Sequence, residues 1–316
     1  MRFIDAAEVR ANLTYDVAIP AVRAAMIALS AGETRQLLRS ILHFEDGRMF
    51  GVMPGALGEA APFGAKVLSV FPQNFEVGRP SHQGVVMLFD PVTGELSCIA
   101  EAREITAVRT AAASAVATDA LARPDARRLA LLGYGEQAQT HLLAIGKVRA
   151  LETVTVWGRS AERAKAFAER MRTEAGVAVE VAPSAEAAVA EADIVCTVTP
   201  AAEPILKGAW LAPGAHVNIV GSSFAGPAEV DNHLVVRSRF VADYREGVLK
   251  QGAEFLHAKA AGLVGDEHVV GEIGEVLSGK LPGRQSDDQI TAYKSLGHIV
   301  QDLVSVQALL AVPPRA

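Results

Sequence analysis

The stretch RRLALLGYGEQAQTHLLAI, residues 127–145, decides the fold of the second half of this chain. Its apolar run, residues 129–132, is typical of a strand buried on both faces of a sheet. The run continues as Gly133-x-Gly135-x-x-Ala138 directly into a helical pattern. The first glycine permits a tight turn, the second lets a pyrophosphate approach the backbone, and the small third residue allows close helix–strand packing. This order predicts a dinucleotide-binding unit whose helix N-terminus faces the phosphates.

Alternating strands and helices extend this unit along the chain. The further strand-like segments are residues 153–157, 177–181, 192–199, 215–220 and 239–243. Strands that alternate with helices specify a parallel sheet with right-handed crossovers. We therefore predict an α/β fold with a Rossmann-type doubly wound parallel sheet. The alternative is a doubly wound domain that binds no cofactor.

The end of the second strand indicates which nicotinamide cofactor binds. Sites for NAD(H) usually place Asp or Glu there to hold the ribose hydroxyls. Here the sequence reads VWGRSAER, and no carboxylate stands at the strand tip. Arg159 and Ser160 can hold a 2′-phosphate by charge and hydrogen bonds, so NADP(H) is favoured and NAD(H) stays open. In the alternative reading, Ser160 only caps the next helix and Arg159 is solvated.

Composition argues against several classes of function. The 316 residues carry a net charge of −6 and a pI near 5.8, which leaves no broad basic surface for nucleic acid. No apolar run reaches the roughly 18 residues of a membrane span, and the opening MRFIDAAEVRANLTY predicts no secretory signal. The histidines are scattered and residues 266–272 read as a solvated turn, so no metal site is expected. We predict a cytoplasmic protein in which Cys98 and Cys196 are buried thiols.

Arg109 lies among small and apolar side chains in ITAVRTAAASAVA, residues 105–117. On a helix, none of its neighbours three or four residues away is acidic, so its guanidinium has no partner within that helix. Its anion must come from elsewhere. The sequence leaves two sources open: a bound ligand, or a distant acid such as Glu101 or Asp119.

The sequence resembles the ornithine cyclodeaminase/mu-crystallin family over nearly its whole length. The stretches that carry the resemblance, in the family order, are MFGVMPG, AKVLSVFPQN, EITAVRTAAASAVATDALA, LLGYGEQAQTHLLAI, DIVCTVTP, NIVGSSFAGPAEVD and DDQITAYKSLGHIVQDL. The resemblance implies an α+β substrate-binding and dimerisation domain, residues 1–122, completed by a C-terminal helix at 286–316. It implies a Rossmann domain at 123–285, a homodimer, and hydride transfer between nicotinamide and the α-carbon of a small amino or imino acid.

The resemblance also assigns residues to the site. Arg39, Lys66 and Arg109 fall on the family's substrate-binding cations, which makes the substrate α-carboxylate the anion for Arg109. Such a pair would orient the α-carbon, and Lys66 would polarise the imine or exchange a proton with its nitrogen. The alternative for Lys66 is a lysine at the surface edge of a strand. The expected cofactor-binding residues are Ser81, Arg109, Gly133, Gly135, Glu136, Gln137, Arg159, Ser160, Thr199, Val220, Gly221, Ser222 and Ser295.

One position departs from the family pattern. Where cyclodeaminases proper carry an aspartate as proton acceptor, this chain has Ser223, and a nearby family lysine falls on Pro227. Ser223 thus occupies a catalytic position, but a hydroxyl alone cannot serve the several proton transfers of cyclodeamination. We favour an NAD(P)H-dependent imino-acid (ketimine) reductase or amino-acid dehydrogenase. The alternatives are an ornithine cyclodeaminase and a weakly active crystallin-like NADP(H)-binding protein. Met53, Phe71 and Phe224 are expected to shape the substrate pocket.

Overall fold

The computed structural model describes residues 1–312, apart from the side chains of residues 75 and 76. The chain forms two compact units. The first unit comprises Met1–Arg109 and the chain from His298 onward, and the second comprises Thr110–Gly297.

Strands and helices are numbered in chain order. The strands are β1 (Arg2–Ile4), β2 (Arg35–Gln36), β3 (Ser40–His43), β4 (Met49–Ala56), β5 (Phe63–Val70), β6 (His82–Phe89), β7 (Leu96–Glu101), β8 (Arg128–Leu132), β9 (Thr153–Trp157), β10 (Ala178–Val181), β11 (Ile194–Thr197), β12 (His216–Ile219), β13 (Arg239–Ala242), β14 (Val269–Glu272) and β15 (Thr291–Lys294). The α-helices are α1 (Ala6–Asn12), α2 (Tyr15–Ser30), α3 (Ala102–Leu121), α4 (Glu136–Ile145), α5 (Ala161–Ala175), α6 (Ala185–Val189), α7 (Asn232–Arg237), α8 (Arg245–Gln251), α9 (Ala253–Ala260), α10 (Ile273–Leu277) and α11 (Ile299–Ala311).

The second unit is built on a parallel sheet in the strand order β10-β9-β8-β11-β12-β15-β13-β14. Its first five strands have the 3-2-1-4-5 order of a doubly wound nucleotide-binding sheet, with the reversal between β8 and β11. Leu129 and Leu131 of β8 face one apolar core, and Ala130 and Leu132 face the other. Burial on both faces explains the continuous apolar run of this strand. The predicted α/β Rossmann-type fold is confirmed.

The predicted C-terminal helix is wrong in its first part. Thr291–Lys294 is strand β15, which pairs in parallel with β12 and β13, and α11 begins only at Ile299. All four residues of β15 are buried. A short strand that is covered on both faces shows no alternation of apolar and polar residues, so its sequence was read together with the helical pattern that follows. Residues 313–316 of the predicted helix lie outside the described residues.

The first unit contains a sheet in the order β1-β7-β6-β5-β4-β2, with β3 also paired to β4. The β1–β7 pair is parallel and the other pairs are antiparallel. Helix α11 packs against α2 and against β4, β5 and β6. Gly55 of β4 permits this approach, because a Cβ there would lie 2.7 Å from Ile299 Cγ2. Helix α11 therefore packs directly on the sheet strand that carries Lys66.

The division between the units differs in position from the boundaries inferred from sequence. Those boundaries fall at 122/123 and 285/286, whereas the structure divides after Arg109 and after Gly297. Helix α3 is continuous across the first division. Its first eight residues, which end at Arg109, therefore belong to the first unit. Strand β15 belongs to the second.

Among residues 1–312, no single helix is long and apolar enough to cross a membrane. Helices α1 and α2 meet the criteria of length and composition only as a pair, and they are bent by 89° at the break between them.

Candidate functional site

The cations predicted from the sequence, Arg39, Lys66 and Arg109, come together in the first unit. Lys66 lies on β5, which is flanked by β4 and β6, and its side chain is 5% exposed. The side chain of Arg109 on α3 is 6% exposed. Arg39, between β2 and β3, is partly buried, and its charge lowers the pKa of Lys66. Because Lys66 is buried on an inner strand, its alternative reading as a surface-edge lysine is wrong.

A carboxylate that sequence reasoning missed joins two of these cations. Asp302 Oδ1 accepts hydrogen bonds from Lys66 Nζ at 2.9 Å and from Arg109 Nε at 3.1 Å. Arg109 Nη1 also donates to Gln301 Oε1 at 2.8 Å. Asp302 and Gln301 both lie in the first turn of α11, so this helix supplies the hydrogen-bond acceptors for Lys66 and Arg109. The anion that pairs with Arg109 is therefore a distant acid of the chain, Asp302.

The two acids considered from the sequence as partners of Arg109 have other roles. The carboxylate of Glu101 accepts hydrogen bonds from the N–H groups of Arg103 and Glu104 at 2.9 Å, so it caps α3. Asp119 forms an ion pair with Arg149 at 3.2 Å. The suggested pairing of Arg109 with Glu101 or Asp119 is therefore wrong. The true partner is 193 positions away in the chain, where local spacing carries no information.

Electrostatics suit this group to anion binding and proton transfer. Burial lowers the pKa of Lys66 to about 8, and the charges of Arg109 and Arg39 act in the same direction. The carboxylate of Asp302 opposes this shift. Burial raises the pKa of Asp302, but Arg109 and Lys66 outweigh it and hold that pKa below its ordinary value. Three cations and one carboxylate leave two positive charges in excess, which favours an anionic ligand. An amine that titrates near neutral pH can both donate and accept a proton.

Two histidines lie within electrostatic reach of the same group. Burial and then the charge of Lys66 lower the pKa of His82, and burial lowers that of His298 to about 3 although Asp302 raises it. Both imidazoles are therefore neutral at pH 7. Ser81, expected at the cofactor, lies in the first unit with its Oγ 2.9 Å from His82 Nδ1.

The predicted phosphate turn of the second unit has the geometry that its glycines require. Gly133 has a φ of 127°, and a Cβ there would lie 2.9 Å from the carbonyl oxygen of Val198. A Cβ on Gly135 would meet no atom within 4 Å, so the space at the N-terminus of α4 is open. Ala138 is fully buried where α4 packs on the sheet. Gln137 Oε1 is buried and has no hydrogen-bond partner among residues 1–312.

Alanine substitutions at the two glycines are expected to separate folding from binding. Gly133→Ala places an L residue in a strained conformation that costs about 1–3 kcal/mol, so both Tm and dinucleotide affinity should fall. Gly135→Ala should keep the parent Tm but weaken NADPH binding about tenfold, because the methyl group occupies the space of a pyrophosphate. Thermal unfolding and NADPH fluorescence titration measure the two effects. Unchanged NADPH affinity in Gly135→Ala would contradict the phosphate-turn assignment.

The tip of β9 carries the residues predicted to select the cofactor. Arg159 is exposed and forms no hydrogen bond or ion pair with any described residue. Ser160 is the N-cap of α5, and its Oγ accepts from the N–H of Arg163 at 3.3 Å. Ser160 therefore caps the helix, as its alternative reading predicts, while its hydroxyl proton can still be donated. The ring of Tyr134 packs on Gly158, where a Cβ would lie 2.2 Å from Tyr134 Cε1.

The carboxyl edge of the sheet carries the remaining expected cofactor residues. Thr199 follows β11, residues 220–222 follow β12, and Ser295 follows β15. The N–H of Ser295 donates to the carbonyl of Ile219 at 3.0 Å, so neighbouring strands end side by side. Ser295 Oγ is buried and has no hydrogen-bond partner among residues 1–312. Ligands of doubly wound sheets bind outside this edge, next to the reversal of strand order.

Glu229, which sequence reasoning missed, holds two loops of this edge together. Its Oε1 accepts from the N–H of Thr199 at 2.6 Å and from the Thr199 hydroxyl at 2.8 Å. Its Oε2 accepts from the N–H of Gly221 at 2.6 Å. Burial raises the pKa of Glu229, and the hydrogen bonds from Thr199 oppose that rise. Backbone donors have no sequence signature, so this bridge between loops was visible only in the fold.

A buried ion pair lies beside Glu229. Lys294 Nζ pairs with Glu254 Oε2 at 2.7 Å and donates to the hydroxyl and the carbonyl of Ser222 at 2.6 Å each. The carboxylate of Glu254 also accepts from the Ser222 hydroxyl and, at 3.1 Å, from the N–H of Glu229. The hydroxyl of Ser222 is thus engaged within the protein, where it holds the loop after β12.

The remaining predicted residues fall in both units. Met53 lies opposite Lys66 in the β4–β5 register, next to the cations. The guanidinium carbon of Arg48 lies over the ring of Phe71, 5.7 Å from the ring centroid. Ser223 and its neighbour Phe224 are partly exposed in the second unit. No described residue forms a hydrogen bond with Ser223. Glu136 is exposed in the first turn of α4.

The second unit fits a nicotinamide dinucleotide. The open space at Gly135 admits a pyrophosphate, and Arg159 offers an unpaired charge at the strand tip. The orphaned polar atoms of Gln137 and Ser295 are ready for a ligand's donors or acceptors.

Known proteins resemble the chain over nearly its full length. A sequence profile of the ornithine cyclodeaminase/mu-crystallin family matches residues 2–310. Ketimine reductase mu-crystallin of Mus musculus is 35% identical over 310 residues, 96% of this chain and 95% of the relative. Delta(1)-pyrroline-2-carboxylate reductase of Bacillus cereus (strain ZK / E33L) is 33% identical over 311 residues, 98% of this chain and 95% of the relative.

A solved structure gives the same result for the fold. Thermococcus litoralis Delta(1)-pyrroline-2-carboxylate reductase, in complex with NADH and L-proline, superposes with a TM-score of 0.95 at 32% identity. The match covers 98% of this chain and 96% of that one. The chain belongs to the ornithine cyclodeaminase/mu-crystallin family.

Proposed function

We propose that this chain is a nicotinamide-dependent imino-acid (ketimine) reductase that acts on a small imino acid with an α-carboxylate. The observation that carries the proposal is the Asp302 carboxylate shared by two buried cations: the Lys66 amine, whose pKa is about 8, and the Arg109 guanidinium both donate to its Oδ1. The relatives named for reduction of ketimines and of Delta(1)-pyrroline-2-carboxylate support the same reaction class. The homodimer implied by the family resemblance is part of this proposal.

The side chains of the first unit have complementary tasks in this reaction. Reduction of an imine adds one hydride to carbon and one proton to nitrogen. When bound, the nicotinamide cofactor supplies the hydride. Arg109, together with Arg39, holds the α-carboxylate and so fixes the orientation of the α-carbon. Protonated Lys66 donates to the imine nitrogen, which makes the carbon more electrophilic.

We further propose that NADP(H) is the preferred cofactor and that Arg159 reads its 2′-phosphate. The Arg159→Ala variant should lose about tenfold or more of the preference for NADPH over NADH, since a hydrogen bond to a charged group contributes about 1.5–3 kcal/mol. Kinetics with NADH are the internal control and should stay unchanged. Lys165→Ala removes an exposed cation from α5 and should leave the ratio as it is. An unaltered ratio in Arg159→Ala would leave Arg159 as a solvated residue.

The proposed reaction is tested by following NADPH and NADH separately with Delta(1)-pyrroline-2-carboxylate as acceptor. We expect consumption of the reduced cofactor with one equivalent of proline formed. No consumption with this acceptor or with a linear imino acid would overturn the reductase assignment and favour a binding protein. Ornithine should release no ammonia, because Ser223 stands where cyclodeaminases carry the aspartate that accepts protons, and a hydroxyl alone cannot serve as that base.

A further inference from the structure

We propose that Asp302 is a positioning residue of this enzyme, which keeps Lys66 charged and fixes the orientation of Arg109 so that proton donor and carboxylate clamp act together. The inference rests on the proposed function. The side chain of Asp302 is completely buried, whereas those of Lys66 and Arg109 retain 5% and 6% exposure. Asp302 therefore acts through the two cations and does not itself reach the substrate.

The geometry couples the two cations through a single atom. Lys66 Nζ and Arg109 Nε both donate to Asp302 Oδ1, and Oδ2 accepts no hydrogen bond from residues 1–312. Lys66 comes from β5, Arg109 from α3 and Asp302 from α11, so one carboxylate connects three elements of the first unit. A displacement of Oδ1 would move the amine and the guanidinium together. Gln301, one residue earlier, holds a second nitrogen of the same guanidinium at 2.8 Å.

The charges around Lys66 give Asp302 its second role. Three charged groups shift the pKa of Lys66: Asp302 from α11, Arg109 from α3 and Arg39 from the β2–β3 connection. Lys66 in turn lowers the pKa of His82 on β6. The pKa of His298, just before α11, responds to the charges of Asp302, Arg39 and Arg109. Asp302 is the anion of this set. Burial and both arginines lower the pKa of Lys66, and Asp302 opposes them. Removing its charge would favour neutral Lys66 at neutral pH, and a neutral amine is a poor proton donor.

The pH dependence of kcat/KM for imine reduction distinguishes this role from a purely structural one. In the parent enzyme, kcat/KM should fall as the pH rises through about 8, because Lys66 then loses the proton that it donates. In Asp302→Asn, this fall should shift to lower pH by about 1 unit or more, the usual effect of a neighbouring opposite charge. KM for the imino acid should also rise, since Arg109 loses its Nε acceptor.

Thr106→Val is the matched control. Lys66 Nζ also donates to Thr106 Oγ1, so this variant removes a hydrogen bond of the same amine without removing a charge. Its alkaline limb should stay where the parent has it. If Asp302→Asn shows the parent limb and KM, or if Thr106→Val shifts the limb equally, the proposal is overturned.

Asp302→Glu covers the case in which Asp302→Asn does not fold. The longer side chain keeps the negative charge but displaces the oxygen that both cations share. We expect an alkaline limb close to the parent value together with at least a tenfold lower kcat/KM, and full parent kcat/KM would refute the positioning role. A parent enzyme that reduces no imine would instead refute the proposed function, before any variant is compared.

Discussion

Replacing Lys66 with methionine is expected to lower kcat for imine reduction about 100- to 10,000-fold, the usual contribution of a positioned proton donor. Methionine fills a similar volume but can neither donate a proton nor carry a charge. Cofactor affinity should be retained, because the phosphate turn at Gly133 and Gly135 belongs to the other unit. Stopped-flow measurement of the reduction step, with NADPH titration as a binding control, gives both quantities.

Lys66→Arg separates the charge of this position from its proton. Arginine keeps the positive charge beside Asp302 but does not release its proton near neutral pH. We therefore expect KM for the imino acid nearer to that of the parent than in Lys66→Met, and kcat as low as in Lys66→Met. A kcat within threefold of the parent in both variants would show that the proton comes from another group. The thermal unfolding of each variant reports the stability lost when a buried pair is broken.

Replacing Arg109 with alanine is expected to raise KM for the imino acid about 30-fold or more, since truncating one member of a buried charged pair costs about 2–5 kcal/mol. The substrate carboxylate would lose its planar partner, and the α-carbon would lose its fixed orientation. NADPH should still bind. Initial-rate kinetics at saturating NADPH, with varied imino acid, measure the effect.

Arg109→Lys is the informative companion variant. It keeps a positive charge near Asp302 but loses the two-pronged contact with a carboxylate, so we expect an intermediate KM. If Arg109 only balanced the charge of Asp302, Arg109→Ala would be less stable but would show an unchanged kcat/KM. That outcome would remove the carboxylate-clamp assignment.

The nucleotide half of this protein was largely predictable because its signals are local. The turn at Gly133, Gly135 and Ala138 depends on residues that lie next to one another, and the backbone itself demands those types: a φ of 127° at Gly133 and a buried methyl at Ala138. The parallel pairing of the sheet followed from the alternation of strands and helices. Strand β15 was not predicted, because four residues that are buried on both faces of a sheet show no periodic pattern of apolar and polar types.

The cations of the candidate site were predictable as residue types but not as an arrangement. Arg109 stood out because a charged residue in small and apolar surroundings needs a partner, whereas Lys66 and Arg39 were assigned by the resemblance to the family. The common acceptor lies 236 positions from Lys66 and 193 positions from Arg109. It belongs to a helix that begins later in the chain than the sequence analysis predicts. Contacts of this range depend on how α11 packs on the sheet, which no local pattern encodes.

Local sequence signals specified the fold class and the phosphate turn and singled out Arg109, while Lys66 and Arg39 were assigned by the resemblance to the family. The local signals follow from short-range chemistry: glycine at a left-handed turn, small residues where a helix meets a strand, and a guanidinium group without a local anion. The position of Asp302 between Lys66 and Arg109, and the link that Glu229 makes between the loops after β11 and β12, came from packing between distant segments. The physical reason is burial, because a carboxylate acquires these roles only where packing removes water and leaves distant donors as its partners.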